Sequence, residues 1–304
     1  MQAPFCKDCF TGTCREDAEP QGTEEVVHGF KTYITRPPAS SEGSIATATS
    51  NNVIVYIPDA FGWQTKHARI LADTYAARVN CPVYLPDFMA GSALSESFLD
   101  TKSTTLSPLS KLLRLLRLIP GLLAFFIRSY RGASHPRVLS FLRSIRPEVQ
   151  GKIGVAGFCW GGMHSILLTH DVPENKLDDG KFLVDCAFSA HPGMLNIPRD
   201  IDAVKQPLSF ANGDDDEYMG KEKMQVLTKI LEGKNETEGT AVGGERYEVV
   251  VYPGAKHGFA VRGDYSDPSQ KEQRGRSEDQ AVRWFSKWFN GSGHLIGGSV
   301  TETA

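Results

Sequence analysis

The sequence lacks the features of a membrane-spanning, secreted or nucleic-acid-binding protein. No apolar run is long enough to cross a bilayer, and the first residues contain no apolar stretch of the signal-peptide type. Lysine and arginine number 33 against 36 acidic residues, a net charge of −3, and no basic stripe is interleaved with aromatic residues. We therefore expect a cytoplasmic protein that acts on a small molecule and binds no nucleic acid.

Cysteine is also scarce, with six residues in a chain of 304. So few cysteines do not make a disulfide scaffold, and we expect them to be reduced. Cys6, Cys9 and Cys14 lie close together, but no second pair of cysteines or histidines at zinc-binding spacing lies nearby. We expect no metal and no other cofactor, and we interpret this cluster as part of a peripheral N-terminal segment.

Apolar runs typical of buried strands alternate with helical stretches along most of the chain. This alternation predicts a mostly parallel sheet with helices on both faces, which binds its ligand at the carboxyl ends of the strands. We expect a peripheral segment at 1–25, one α/β domain at 26–290 and a mobile tail at 291–304. Strands are predicted at 53–57, 83–85, 153–156, 184–189, 208–211 and 247–252, and helices near 65–79, 164–169, 221–231 and 278–289.

A glycine-rich turn, VAGFCWGG at 155–162, joins a predicted strand to a predicted helix. Such a turn is typical of a nucleophile elbow, which lifts one side chain above a parallel sheet. Gly157 and Gly161 leave room where side chains would clash with the neighbouring strand and helix. Cys159 occupies the position usually held by serine. Alone, the pattern fits a buried structural cysteine equally well.

The order of later residues favours the catalytic interpretation of Cys159. A hydrolase with such an elbow carries its acid and then its histidine further along the chain, each after a strand. An acidic turn at 214–216 follows one predicted strand, and His257 follows another. His191 precedes the acidic turn and His164 lies on the elbow helix, so we interpret both as structural.

The approach to the elbow at 135–155, AHPG at 190–193 and the cysteine-containing N-terminus resemble the eukaryotic branch of the dienelactone hydrolase (carboxymethylenebutenolidase) family. Three motifs resemble this family of the α/β-hydrolase fold as a whole. They are GFCWGG at 157–162, YPGAKHGF at 252–259 and PDAFG at 58–62. The similarity covers roughly residues 25 to 290. It implies an α/β-hydrolase fold with a helical insertion, or lid, around 91–135.

The resemblance also implies roles for individual residues. The family's acid lies three positions after a glycine at a strand end, which from Gly213 gives Asp216 and leaves Asp214 and Asp215 as solvated turn residues. The catalytic triad would be Cys159, Asp216 and His257, without metal. The oxyanion hole would be formed by the backbone N–H groups of Trp160 and Ala60.

The loop after the first predicted strand departs from the better-known family pattern. Asp59 stands where the family has a glutamate that contacts the resting thiol, and it is one methylene shorter. It could activate Cys159 directly, act through water or cap the loop. Arg262 resembles a family arginine that holds a substrate carboxylate, but a surface salt bridge with Asp264 is equally compatible. We also assign Phe61 to substrate binding.

Residues 107–131, SPLSKLLRLLRLIPGLLAFFIRSYR, are apolar on most faces and carry five basic residues. Pro120-Gly121 is expected to break this segment into two helices. The segment could be an interfacial membrane helix or a lid over the active site. We favour the lid, and we do not expect membrane contact.

These observations predict a cofactor-independent hydrolase of lactones or activated enol esters that acts through a thioester. An alternative is acyl transfer, cyclisation or another tailoring step on a bulky, polyketide-like substrate. A non-catalytic binding protein is the third alternative, which the three triad signals disfavour. The protein is expected to be a monomer or a homodimer.

Overall fold

A computed structural model describes residues 18–38, 50–96, 108–238, 245–262 and 267–290. Cys6, Cys9, Cys14 and the tail at 291–304 lie outside these residues. No helix in the described ranges is long and apolar enough to cross a membrane.

Eight strands form one sheet in the order β1-β2-β4-β3-β5-β6-β7-β8. The neighbours from β4 to β8 pair in parallel, whereas β1 pairs with β2, and β2 with β4, in antiparallel fashion. The predicted α/β-hydrolase fold with a mostly parallel sheet is therefore confirmed. The strands are β1 (Thr23–Val27), β2 (Phe30–Thr35), β3 (Val53–Ile57), β4 (Val83–Pro86), β5 (Ile153–Phe158), β6 (Cys186–Ala190), β7 (Leu208–Gly213) and β8 (Tyr247–Tyr252).

The antiparallel pair β1 and β2 was not predicted. β1 has the sequence TEEVV and is largely exposed, so it lacks both an apolar run and a buried alternating face. A tight turn joins the two strands, with positive φ at His28 (48°) and Gly29 (84°). The sheet thus begins at Thr23, inside the segment expected to be peripheral.

Helices cover both faces of the sheet. On one face, Tyr75 of α1 and Phe285 of α7 pack with Tyr56 of β3. On the other face, Phe141 of α3 packs with Val55 of β3, because neighbouring residues of a strand point to opposite sides. The helices are α1 (Lys66–Val79), α2 (Pro108–Ser129), α3 (Arg131–Ile145), α4 (Trp160–Leu167), α5 (Arg199–Asp202), α6 (Lys221–Glu238) and α7 (Pro268–Asn290).

The predicted break at Pro120-Gly121 is wrong. Helix α2 continues through Pro120 and ends at Ser129, and α3 begins at Arg131. A proline removes one backbone hydrogen bond and strains one turn, which does not stop a helix whose remaining turns are intact. The described part of the expected insertion therefore contains one long helix and the first turn of α3, which packs on the sheet.

Candidate active site

The elbow at Cys159 has the strained geometry that its glycines predict. Cys159 joins β5 to α4 with φ 51° and ψ −110°, and its backbone N–H donates to Ala190 O at 3.1 Å. A Cβ on Gly157 would collide with the carbonyl of Gly161 on α4, and a Cβ on Gly161 would collide with the carbonyl of Ile57 on β3. The glycines therefore allow helix α4 to lie directly against the sheet.

The structure brings Cys159, His257 and Asp216 together at the carboxyl ends of β5, β8 and β7. His257 Nε2 lies 3.1 Å from Cys159 Sγ, and His257 Nδ1 lies 2.9 Å from Asp216 Oδ2. The other oxygen of Asp216 accepts the backbone N–H of Tyr218 at 2.8 Å. The ring of Tyr218, which was not singled out from the sequence, packs against the imidazole at 4.8 Å.

These contacts fix how the imidazole can work. An ionised carboxylate can only accept hydrogen bonds, so the Nδ1 atom that faces Asp216 carries the proton. Nε2 is then the basic nitrogen, and it faces the Cys159 sulfur. The arrangement can accept the thiol proton at Nε2 and stabilise the resulting imidazolium through Asp216.

Burial separates Asp216 from the two aspartates before it. Asp216 is 2% exposed, whereas Asp214 and Asp215 lie at the surface. Asp214 accepts the backbone N–H of Gly254 at 2.5 Å. The structure thus directs one of the three carboxylates at His257.

Two backbone N–H groups beside the elbow suit an oxyanion hole. Trp160 is the first residue of α4, and Ala60 lies in the loop after β3, where Gly161 N–H donates to Pro58 O at 3.1 Å. In the described part of the chain, neither Trp160 nor Ala60 donates its N–H to a backbone carbonyl. Both groups remain able to bind a substrate oxygen.

The Asp59 carboxylate is held by groups other than Cys159. Its Oδ2 lies 3.0 Å from Arg262 Nε and 3.7 Å from His67 Nε2, and its Oδ1 accepts the Phe61 N–H at 3.0 Å. Burial alone would raise the pKa of Asp59, but the Arg262 guanidinium and His67 lower it below its ordinary value. No hydrogen bond joins Asp59 to Cys159 among the described residues. His67, on α1, was not identified from the sequence.

Arg262 is a buried residue, whereas the salt bridge considered for it was expected at the surface. Its side chain is 2% exposed in the ion pair with Asp59, and its guanidinium lies 4.6 Å above the Phe61 ring. Asp264, the alternative partner, lies outside the described residues. Arg262 therefore contacts both residues that flank Ala60 in the loop after β3, Asp59 and Phe61.

The two rival histidines are both buried. His191 lies with its ring 5.1 Å from the His257 ring. Burial, and then the neighbouring His257 and Arg262, keep its pKa well below the ordinary value, so it stays neutral. His164 packs against Trp160 with ring centroids 4.4 Å apart. Neither contacts Cys159 Sγ in the described ranges.

The site is buried, and the end of α2 packs in the same region of the protein. Cys159 is 6% exposed and His257 3% exposed. Phe125 of α2 belongs to the same apolar cluster as Cys159 and Phe61, and the indole N–H of Trp160 donates to Ser129 O at 2.7 Å. Among the described residues, no three His, Cys, Asp or Glu side chains come together as a metal site.

Comparison with known proteins places the chain among hydrolases. A family model described as "Dienelactone hydrolase family" matches residues 41–289. The chain is 27% identical to the Talaromyces stipitatus protein named "Hydrolase tropI", over 92% of this chain and 95% of that protein. It is 25% identical to the mouse "Carboxymethylenebutenolidase homolog", over 88% and 91% of the two chains.

A solved structure shares the fold. The crystal structure titled "Putative Dienelactone Hydrolase" from Klebsiella pneumoniae superimposes with a TM-score of 0.56 at 17% identity. The match covers 88% of this chain and 98% of that one.

Proposed function

Because the chain belongs to the dienelactone hydrolase family, we propose that it hydrolyses lactones or activated enol esters with Cys159, His257 and Asp216 as its catalytic triad. The family makes it a hydrolase of carboxylic ester or lactone bonds. The 3.1 Å contact between Cys159 Sγ and His257 Nε2 carries the proposal for the triad.

The proposed reaction begins with proton transfer from Cys159 Sγ to His257 Nε2. The thiolate attacks the acyl carbonyl, whose oxygen takes up the negative charge between the N–H groups of Trp160 and Ala60. The C–O bond then breaks, and the imidazolium returns its proton to the departing oxygen. Water, deprotonated by His257, attacks the resulting thioester and releases the acid and the free thiol.

The thiol nucleophile restricts the substrate class. A thiolate leaves a tetrahedral intermediate more readily than an alkoxide does, so attack on an ordinary ester reverts to reactants. Product forms when the departing oxygen is stabilised, as in an enol ester or an enol lactone. Arg262 and Phe61 would line the acyl side of the site. No cofactor takes part, and a cytoplasmic location would keep the thiol reduced.

Cys159→Ala should abolish hydrolysis of an activated ester such as an enol acetate. Cys159→Ser should lower kcat severely, because an alcohol needs stronger base assistance than a thiol. The measurement is steady-state kinetics, combined with intact-protein mass spectrometry to detect a thioester on the wild type after rapid acid quench. Wild-type turnover by Cys159→Ala would exclude the mechanism and leave the non-catalytic alternative open.

Cys186→Ala provides a matched control. Cys186 is also fully buried in the sheet, and burial raises its thiol pKa well above the ordinary value. This thiol should not carry an acyl group, and its replacement should leave turnover within about twofold of the wild type. The adduct should therefore be lost only with Cys159.

Acyl transfer or cyclisation remains a second candidate because Cys159 is 6% exposed. A site that admits little water favours an acceptor bound beside the thioester over hydrolysis. Product analysis in the presence of a competing alcohol distinguishes the two outcomes: free acid indicates hydrolysis, and a new ester indicates transfer.

A further inference from the structure

The outer side of α2 carries an exposed apolar stripe that the proposed hydrolysis does not use. Ile119 is 39% exposed, Leu123 55%, Ile127 68% and Tyr130, just past the helix end, 58%. These positions are three or four residues apart, so they lie on one face of the helix. We call these four residues the outer stripe. It faces away from Phe125, which packs in the core with Cys159.

The segment that carries the outer stripe is also strongly basic. Residues 101–147 contain nine basic residues and no acidic one. The whole chain has a net charge of −3, so the remaining residues carry −12. Positive charge is therefore concentrated on α2, on α3 and next to them.

Among the arginines whose side chains the structure describes, two donate to neutral backbone carbonyls of the loop after β4. Arg128 donates to Ala90 O at 3.2 Å and Arg137 to Phe88 O at 2.9 Å, and backbone carbonyls carry no net charge. Two arginines of this segment do form ion pairs: Arg131 with Asp200 at 3.1 Å and Arg146 with Asp185 at 2.6 Å. A surface that combines exposed apolar side chains with free positive charge is complementary to an anionic bilayer.

We propose that α2 docks on the surface of an anionic bilayer, with the outer stripe at the boundary between headgroups and acyl chains. Helix α2 carries charges along its length and cannot span the bilayer, so it lies in the interface plane. Tyr130 combines an apolar ring with a polar tip, which suits this depth. Two copies of the chain paired through α2 would bring basic surfaces together, which disfavours a second copy as the occupant.

The proposal assigns the two sides of one helix to two roles. The inner side closes the site through Phe125 and Ser129, and the outer stripe contacts lipid. From the sequence we favoured a lid without membrane contact. The proposed docking gives the same helix membrane contact as well. Docking would also place the closed site where apolar esters accumulate.

Vesicle flotation of the full-length protein tests the proposal. The wild type should float with phosphatidylcholine vesicles that contain phosphatidylserine and stay behind with phosphatidylcholine alone. Rising salt should weaken binding, because it screens the basic residues. K111Q/R114Q/R117Q should reduce the partition coefficient by about fivefold per charge removed.

Leu123→Glu/Ile127→Glu should lower the partition coefficient more than about tenfold, because anions replace two aliphatic side chains that docking would bury in lipid. Val26→Glu is the matched control. Val26 is an exposed apolar residue on β1, at 72%, remote in sequence from α2, and its replacement should leave binding unchanged. Circular dichroism and thermal unfolding confirm that each variant is folded.

Three results would overturn the proposal. The first is that the wild type does not bind anionic vesicles. The second is that a folded Leu123→Glu/Ile127→Glu variant binds them as well as the wild type does. The third is a wild-type dimer that this variant dissociates, without vesicle binding. That result would assign the outer stripe to a second copy of the chain.

Discussion

At the scale of single residues, position along a turn decides which side chain can do chemistry. The turn after β7 contains three aspartates, Asp214, Asp215 and Asp216. They carry the same carboxyl group and differ only in their position in the turn. Asp216 is buried against His257, with one oxygen on the ring and the other on the Tyr218 N–H. Both carboxylate oxygens of Asp216 are thereby held in place, so the imidazole is kept in one tautomer and one orientation.

Asp216→Asn should lower kcat by roughly 10³- to 10⁴-fold, because an amide can donate to Nδ1 and favour the wrong tautomer. The carbonyl of the amide would also stabilise the imidazolium less than a carboxylate does. Asp214→Asn and Asp215→Asn are the matched controls, and each should leave kcat within about threefold of the wild type. A comparable loss of kcat in either control would move the acid to another position of the turn.

At the scale of elements, helix α2 and helix α4 are tied together behind the nucleophile. The Trp160 indole of α4 donates to Ser129 O at 2.7 Å, and Ser129 Oγ lies 3.1 Å from Ser92 Oγ in the loop after β4. His164 of α4 contacts Ser134 Oγ of α3 at 3.1 Å. These polar contacts hold the end of α2 in place, so we expect entry of a bulky substrate to require its movement.

Ser92→Cys/Ser129→Cys tests whether this movement is needed. The two hydroxyls are already in contact and buried, so the thiols should form a disulfide after mild oxidation. We expect kcat/KM for a bulky ester to fall more than about tenfold in the oxidised form and to recover on reduction.

The wild type, oxidised and reduced in the same way, controls for oxidation of Cys159 itself. Mass spectrometry under non-reducing conditions verifies that the engineered bond has formed. Full turnover with the bond closed would show that substrate enters without movement of α2 at Ser129.

At the scale of the whole molecule, the sequence predicts those elements that depend on a short local pattern of residues. Strand β3 is a buried, continuous apolar run, and β8 is apolar apart from Glu248; both were predicted with the observed bounds. The elbow was predictable because the close packing of strand and helix requires glycine at two positions, and both lie within five residues of sequence. Helix α7 begins ten residues before the predicted start, since its first turns are polar and carry no buried periodicity.

Contacts between distant loops were not predictable in the same way. Asp59 follows β3 and Arg262 follows β8, and nothing in either local sequence indicates that they pair. Their pairing depends on the parallel direction of the strands, which puts both carboxyl ends at the same end of the sheet, and on residues 253–262, which follow β8 and reach across three strands. The sequence left three roles open for Asp59 and two for Arg262, and none of them included the buried 3.0 Å contact between the two side chains.

The Asp59–Arg262 pair should make stability depend on pH in a defined window. Asp59→Asn leaves the Arg262 guanidinium buried without its counter-charge, so we expect the free energy of unfolding at pH 7 to fall by about 3 kcal/mol. The folded-state pKa of Asp59 is depressed, and an unfolded aspartate titrates near about 3.9. The stabilisation is therefore complete above about pH 5 and declines as the pH falls below about 4 towards the folded pKa.

Urea unfolding of wild type and Asp59→Asn between neutral and acid pH measures this difference directly. The gap between the two proteins should be constant from pH 7 to about pH 5 and narrow below about pH 4. Asp59→Leu/Arg262→Met should be more stable than Asp59→Asn alone, because it removes both charges. If the difference in free energy of unfolding between wild type and Asp59→Asn stays constant to the lowest pH, the charge of Asp59 does not contribute the stabilisation.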